Sequence, residues 1–121
     1  MVLKRLECEF SICKVADFSN IDHSRPFRFA ARTDEECSLV CPTSDVPDGT
    51  LARDDGWRAF RIKGVLDFSL IGILARISGL LAEAGIGIFA VSTYNTDYIL
   101  TKAENYERAL KVLAEDGYKI R

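Results

Sequence analysis

The chain has 121 residues, of which 48% are apolar and 28% charged, with a formal net charge of −2 and a pI near 5.4. That apolar share is enough for a buried core, and charges spread along the chain exclude a disordered segment. The acidic balance lacks the basic face of a nucleic-acid binder, so no nucleic-acid partner is expected. No run of about 18 apolar residues exists that would span a bilayer, the longest being broken by Arg76, Glu83 and Gly85. The opening MVLKRLECEF carries Lys4, Arg5, Glu7 and Glu9 where a signal peptide needs an apolar run. A cytoplasmic protein without a membrane partner is the expectation.

In chain order, LKRLECEFSICKVA alternates Leu6, Cys8, Phe10 and Ile12 against Glu7, Glu9 and Ser11, a period of two that predicts a strand to about Val15. DFSNIDHSRP reads as loop. Phe27, Phe29 and Ala31 alternate with Arg28 and Arg32 in a second strand, and CSLVC forms a short third one stopped by Pro42. The four cysteines, at 8, 13, 37 and 41, show neither zinc-ribbon nor redox spacing and read as core thiols. In a strand, Cys37 and Cys41 share a face. TSDVPDGTLARDDG is the most breaker-rich stretch and marks a border; its Asp45, Asp48, Asp54 and Asp55 read as solvated linker residues.

The second half changes period. Trp57, Ala59, Phe60, Ile62 and Val65 mark a strand, with Arg58, Arg61 and Lys63 on its other face. From Ser69 onward Leu70, Ile73, Leu74, Ile77, Leu80, Leu81 and Ala84 recur at three and four, the stripe of an amphipathic helix ended by Gly85. IGIFAVSTY and YILTK form a hairpin around NTD. AENYERALKVLAEDG is a second helix that turns Tyr106, Ala109, Leu110 and Leu113 inward, and YKIR is a last strand. The order is β-α-β-β-α-β, the ferredoxin-like arrangement.

The string DFSLIGILARISGLLAEAGIGIFAVSTYNTDYIL, residues 67–100, resembles the ACT domain family. Gly72-Ile73-Leu74 is similar to the opening of that family's first helix, and Leu80 through Ile86 to its end. Ser92-Thr93 followed by Asp97-Tyr98-Ile99-Leu100 resembles a tandem-ACT branch related to aspartate-kinase regulatory domains and CASTOR-type arginine sensors. Thr33 through Pro42 resembles the hairpin of that branch's reduced first unit. The resemblance implies an α+β fold of two tandem ferredoxin-like βαββαβ ACT modules: residues 1–56 a degenerate, helix-poor unit, residues 57–121 a complete ACT domain. It further implies a non-enzymatic regulatory or sensor protein. Such a protein binds an amino acid or similar small metabolite at an ACT–ACT interface, as a homodimer and without cofactor or metal.

Two segments are the candidate ligand site. Asp67, Ser69, Leu70, Ile71 and Gly72 lead from a strand into a helix start, where unpaired N–H groups and the positive dipole end suit a carboxylate. The plainer reading of the same residues is that Asp67 or Ser69 caps the helix and Gly72 eases its packing on the sheet. Gly87, Ile88, Phe89, Ser92 and Thr93 lie on the strand that lines the cleft in related domains, with Asp97 as a partner for an ammonium. Ser92 and Thr93 equally fit as ordinary strand residues, and Asn95 as turn chemistry. Many amino-acid-binding ACT domains carry an asparagine at the position of Gly87, which leaves an alternative open: a ligand-free dimerisation or protein-docking module. No Ser–His or Cys–His pairing, paired carboxylates or phosphate-binding glycine loop points to catalysis; the only histidine, His23, sits in a polar loop.

Overall fold

The computed structural model describes residues 1–65, 67 and 70–121. Its elements run β1 (Val2–Val15), β2 (Phe29–Arg32), β3 (Cys37–Pro42), a 3₁₀ turn (Thr43–Asp45), β4 (Ala52–Ile62), α1 (Ile73–Glu83), β5 (Phe89–Ser92), β6 (Asp97–Lys102), α2 (Ala103–Glu115) and β7 (Lys119–Ile120). They pack as two compact units, one of Met1–Glu7 with Arg58–Arg121 and one of Cys8–Trp57. The long strands β1 and β4 therefore contribute residues to both.

The first unit follows β4-α1-β5-β6-α2-β7, the ferredoxin-like order, on a sheet arranged β7, β1, β4, β6, β5. The N-terminal end of β1 enters between the last and first strands of that order, pairing parallel to β7 through Val2↔Lys119 and Leu3↔Ile120. Both helices lay their apolar stripes on this sheet. Ile77 and Leu81 of α1 and Tyr106, Ala109, Leu110 and Leu113 of α2 are buried with Leu3, Phe60, Ile62, Ile86 and Ile99. The period of the second helix thus predicts its buried face residue for residue.

Each helix ends in a Schellman motif. Ile86 N–H reaches back to the Leu81 carbonyl at 2.9 Å and Gly85 N–H to Ala82 at 3.0 Å, with Gly85 at φ +74°. The same pair of bonds closes α2, from Tyr118 to Leu113 and from Gly117 to Ala114. The Arg108 guanidinium adds a bond of 2.6 Å to the Ala84 carbonyl, a cation at the negative end of α1. Tyr106 is 1% exposed and donates its hydroxyl to the Ala59 carbonyl at 2.6 Å, tying α2 to β4. The Arg58 guanidinium lies over its ring at 4.5 Å.

The second unit is a sheet ordered β2, β3, β1, β4, with no α-helix among its described residues. β1 and β3 are antiparallel, from Phe10↔Pro42 to Val15↔Cys37. Cys13, Val15, Cys37, Leu39 and Cys41 form one small core, covered in part by Phe18, Ile21 and Val46. Cys37 and Cys41 share a face as their spacing expects, and none of the four cysteines is in a disulfide. Phe10 meets Phe27 edge to face at 6.3 Å.

Three features of the second unit differ from the sequence reading. The strand β1 is buried on both faces, since Phe10, Ser11, Cys13 and Val15 are all covered, because it is an interior strand with partners on each side. The stretch ARDDG is not linker but the first residues of β4. There Asp55 accepts the Ser11 hydroxyl at 2.5 Å and the Arg53 guanidinium at 3.0 Å, while Thr43 adds a bond of 2.9 Å to Ser11. Ser11, 0% exposed, is thereby satisfied within the sheet. Asp45 is not solvated either: its side chain is 15% exposed and pairs with Arg25 and Arg28.

Two outcomes follow for stability and reactivity. Leu81→Ala opens a cavity in the first unit and is expected to lower urea-unfolding stability by about 2–5 kcal/mol. Tyr106→Phe leaves the Ala59 carbonyl without its donor and is expected to cost about 1–3 kcal/mol; a loss near zero would show that the bond does not hold α2 on the sheet. Burial, and then the neighbouring Cys13, push the Cys41 thiol up to about 11, and burial likewise raises Cys13. Both stay protonated at pH 8, so iodoacetamide on the native protein should modify half-buried Cys8 well before Cys13 or Cys41, read by peptide mass spectrometry.

Candidate functional site

A cleft of about 360 Å³ opens in the first unit between the start of α1 and the β5–β6 hairpin. Its size falls in the ~300–1,000 Å³ range of small-molecule sites. One wall is the first turn of α1, with Ile73, Leu74 and Ala75; the other is the hairpin from Ser92 to Asp97.

The helix wall is set by Gly72. It stands at φ +82° as the N-cap residue, and α1 has no side-chain cap. Helix formation begins with the bond from Arg76 N–H to the Gly72 carbonyl at 2.9 Å, which leaves the N–H groups of Ile73, Leu74 and Ala75 ahead of any helical carbonyl. Asp67 therefore does not cap the helix; its carbonyl instead accepts Leu70 N–H at 3.0 Å in a turn before it. Nor does Gly72 ease packing, since a Cβ at that position would meet nothing within 4 Å. The left-handed backbone is what requires glycine there.

The hairpin wall is rigid for a different reason. Ser92 pairs with Asp97 in the β5–β6 register, and the Ser92 hydroxyl donates to the Asp97 carboxylate at 2.6 Å. Thr93 and Thr96 close the turn by a backbone bond of 2.9 Å and by the Thr93 hydroxyl donating to the Thr96 carbonyl at 2.9 Å. The buried Thr96 hydroxyl donates to the Ile62 carbonyl at 2.7 Å and anchors the turn to the end of β4. The threonines, not Asn95, hold this turn.

Of the residues singled out in the sequence, Asp67, Leu70, Gly72, Ser92 and Thr93 line this one cleft, joined by Asp97. Ile71 lies on the far side of Gly72, 95% exposed, beside a second cleft of about 280 Å³ with Arg76, Asp116 and Tyr118. Gly87, Ile88 and Phe89 line neither cleft; Ile88 packs on the core of the first unit and Phe89 pairs with Leu100. Ser69 falls outside the described residues. Asn95, read from the sequence as turn chemistry, also lines the cleft, as does Tyr94, 78% exposed, which carries no spacing signal that would have marked it. Among the described residues, no group of three or more His, Cys, Asp or Glu side chains is placed to hold a metal ion. No described helix is long and apolar enough to cross a membrane.

Comparison with known proteins bears on the family and the fold. A family model described as the ACT domain matches residues 52–115. The chain is 39% identical over 64 residues to the Bos taurus cytosolic arginine sensor for mTORC1 subunit 1, covering 50% of this chain and 20% of that protein. It thus spans about a fifth of that relative's length. Among solved structures, protein Atu0741 from Agobacterium tumefaciens is 31% identical with a TM-score of 0.87, over 99% of this chain and 91% of that one. The aspartokinase alpha and beta subunits share the fold at a TM-score of 0.66 and 19% identity, over 95% and 96% of the two chains. A chain so matched over more than half its length, with the βαββαβ order in place, belongs to the ACT domain family.

Proposed function

We propose that the protein is a non-enzymatic regulatory sensor that binds an amino acid, or a similar small metabolite, in the cleft between α1 and the β5–β6 hairpin. The observation that carries the reading is the start of α1. A helix N-terminus without a side-chain cap faces a hydroxyl- and carboxylate-bearing hairpin across a cleft of ligand size. The N–H groups of Ile73, Leu74 and Ala75, with the positive end of the helix dipole, suit an α-carboxylate. Asp97, oriented by Ser92, suits the α-ammonium. Leu70, Ile73 and Leu74 supply apolar surface for a side chain. Membership of a family of regulatory domains, and likeness to a named arginine sensor, support sensing rather than catalysis.

The finer parts of the proposal concern assembly. Residues 57–121 act as the ACT domain and residues 1–56 as a degenerate, helix-poor ACT-like unit. A second ACT unit, supplied in a cytoplasmic homodimer, completes the cleft. Support comes from β5, which ends the sheet order as an edge strand, and from the exposed apolar side chains Val65, Leu70, Ile71 and Tyr94. The same exposed side chains favour the second reading, a docking module without a ligand.

Thermal unfolding against each of the twenty amino acids separates the two. At a hundredfold excess over the dissociation constant a true ligand stabilises by about 2.7 kcal/mol, a rise of several degrees in Tm. Asp97→Ala is expected to weaken that ligand at least tenfold, or about 1.4 kcal/mol. Absence of any shift with all twenty would leave the docking module as the better account.

A further inference from the structure

The cleft also says which amino acids it rejects, an inference that rests on the amino-acid reading above. Among the described residues its lining includes Asp67 and Asp97 and no Lys, Arg or His. Leu66, Phe68 and Ser69, the residues between and beside Asp67 and Leu70 in sequence, bring no charge. The positive element present is the N-terminal end of α1, equivalent to roughly half a charge, and an α-carboxylate uses it.

Two arginines, Arg76 and Arg61, have partners outside the cleft. Arg76, in the first turn of α1, lines the second cleft and bridges to Asp116 at 2.5 Å. Arg61, on β4, donates to the Tyr98 hydroxyl at 3.1 Å. The hydroxyl donors of the hairpin are engaged as well, Ser92 with Asp97 and Thr93 with the Thr96 carbonyl. A carboxylate on the ligand's side chain would enter a region of like sign whose described lining offers no cation to meet it. Like-charge juxtaposition of this kind is how binding sites exclude near-isosteres.

We propose that the cleft is a charge filter: it admits amino acids with neutral or cationic side chains and excludes aspartate and glutamate, with Asp97 as the determinant. The filter acts on charge and not on size, so glutamine and glutamate, or asparagine and aspartate, are the informative pairs.

Isothermal titration of the full chain at low salt with these four, and with lysine and arginine, tests it. Each acid is expected to bind at least tenfold more weakly than its amide, about 1.4 kcal/mol. Binding by any neutral or basic amino acid with none by either acid is an equally supporting result. Glutamate or aspartate binding as tightly as its amide overturns the filter and leaves the sensor reading standing, whereas silence from all twenty amino acids removes the sensor reading itself. Two further measurements fix the cause. Asp97→Asn, with its fold checked by circular dichroism, should narrow the amide-to-acid ratio several-fold, and raising the salt should narrow it for the unaltered protein. A ratio unmoved by both would show that charge at Asp97 is not the determinant.

Discussion

At residue 72 the backbone turns left-handed, and the helix that follows starts without a side chain to cap it. The helix wall of the cleft depends on this point. Had the helix begun at Ser69 or Leu70, a serine or aspartate would have satisfied its first N–H groups and its dipole end would have been closed. With the start at Ile73, the first turn of α1 forms one wall of the cleft and the β5–β6 hairpin the other.

The opposite wall has to hold its shape for that end to be useful. Two threonines close the hairpin turn, and one of them, Thr96, is buried and bonded to the Ile62 carbonyl at the end of β4. Ile62 itself sits in the core that packs Ile77 and Leu81 of α1 beneath the same sheet. Helix start, hairpin and strand end are thus linked through one packed core. Preorganisation of this sort lowers the ordering cost that a small ligand must overcome.

The sequence carried much of this arrangement, unevenly. The face of α2 was legible in full because Tyr106, Ala109, Leu110 and Leu113 keep a helical spacing and Gly117 ends it without ambiguity. The start of α1 was not, because Leu70 and Ile71 extend the apolar pattern while a left-handed glycine leaves no trace in a period. The beginning of β4 looked like linker because Asp54 and Asp55 are polar; the Ser11 partner that places Asp55 in a sheet lies 44 residues away and has no local signature. At the site, Asp67, Gly72, Ser92 and Thr93 do converge. Gly87, Ile88 and Phe89 fall outside the cleft lining, because they lie before or at the start of β5 and the lining begins at its other end, at Ser92.

We propose that the start of α1 and the β5–β6 hairpin form one amino-acid site. A crystal structure grown with a mixture of the twenty amino acids tests it most directly. The account predicts a bound amino acid with its carboxylate on the amides of Ile73, Leu74 and Ala75 and its ammonium at Asp97. A well-ordered cleft empty under those conditions, or an amino acid seated elsewhere on the molecule, would contradict it.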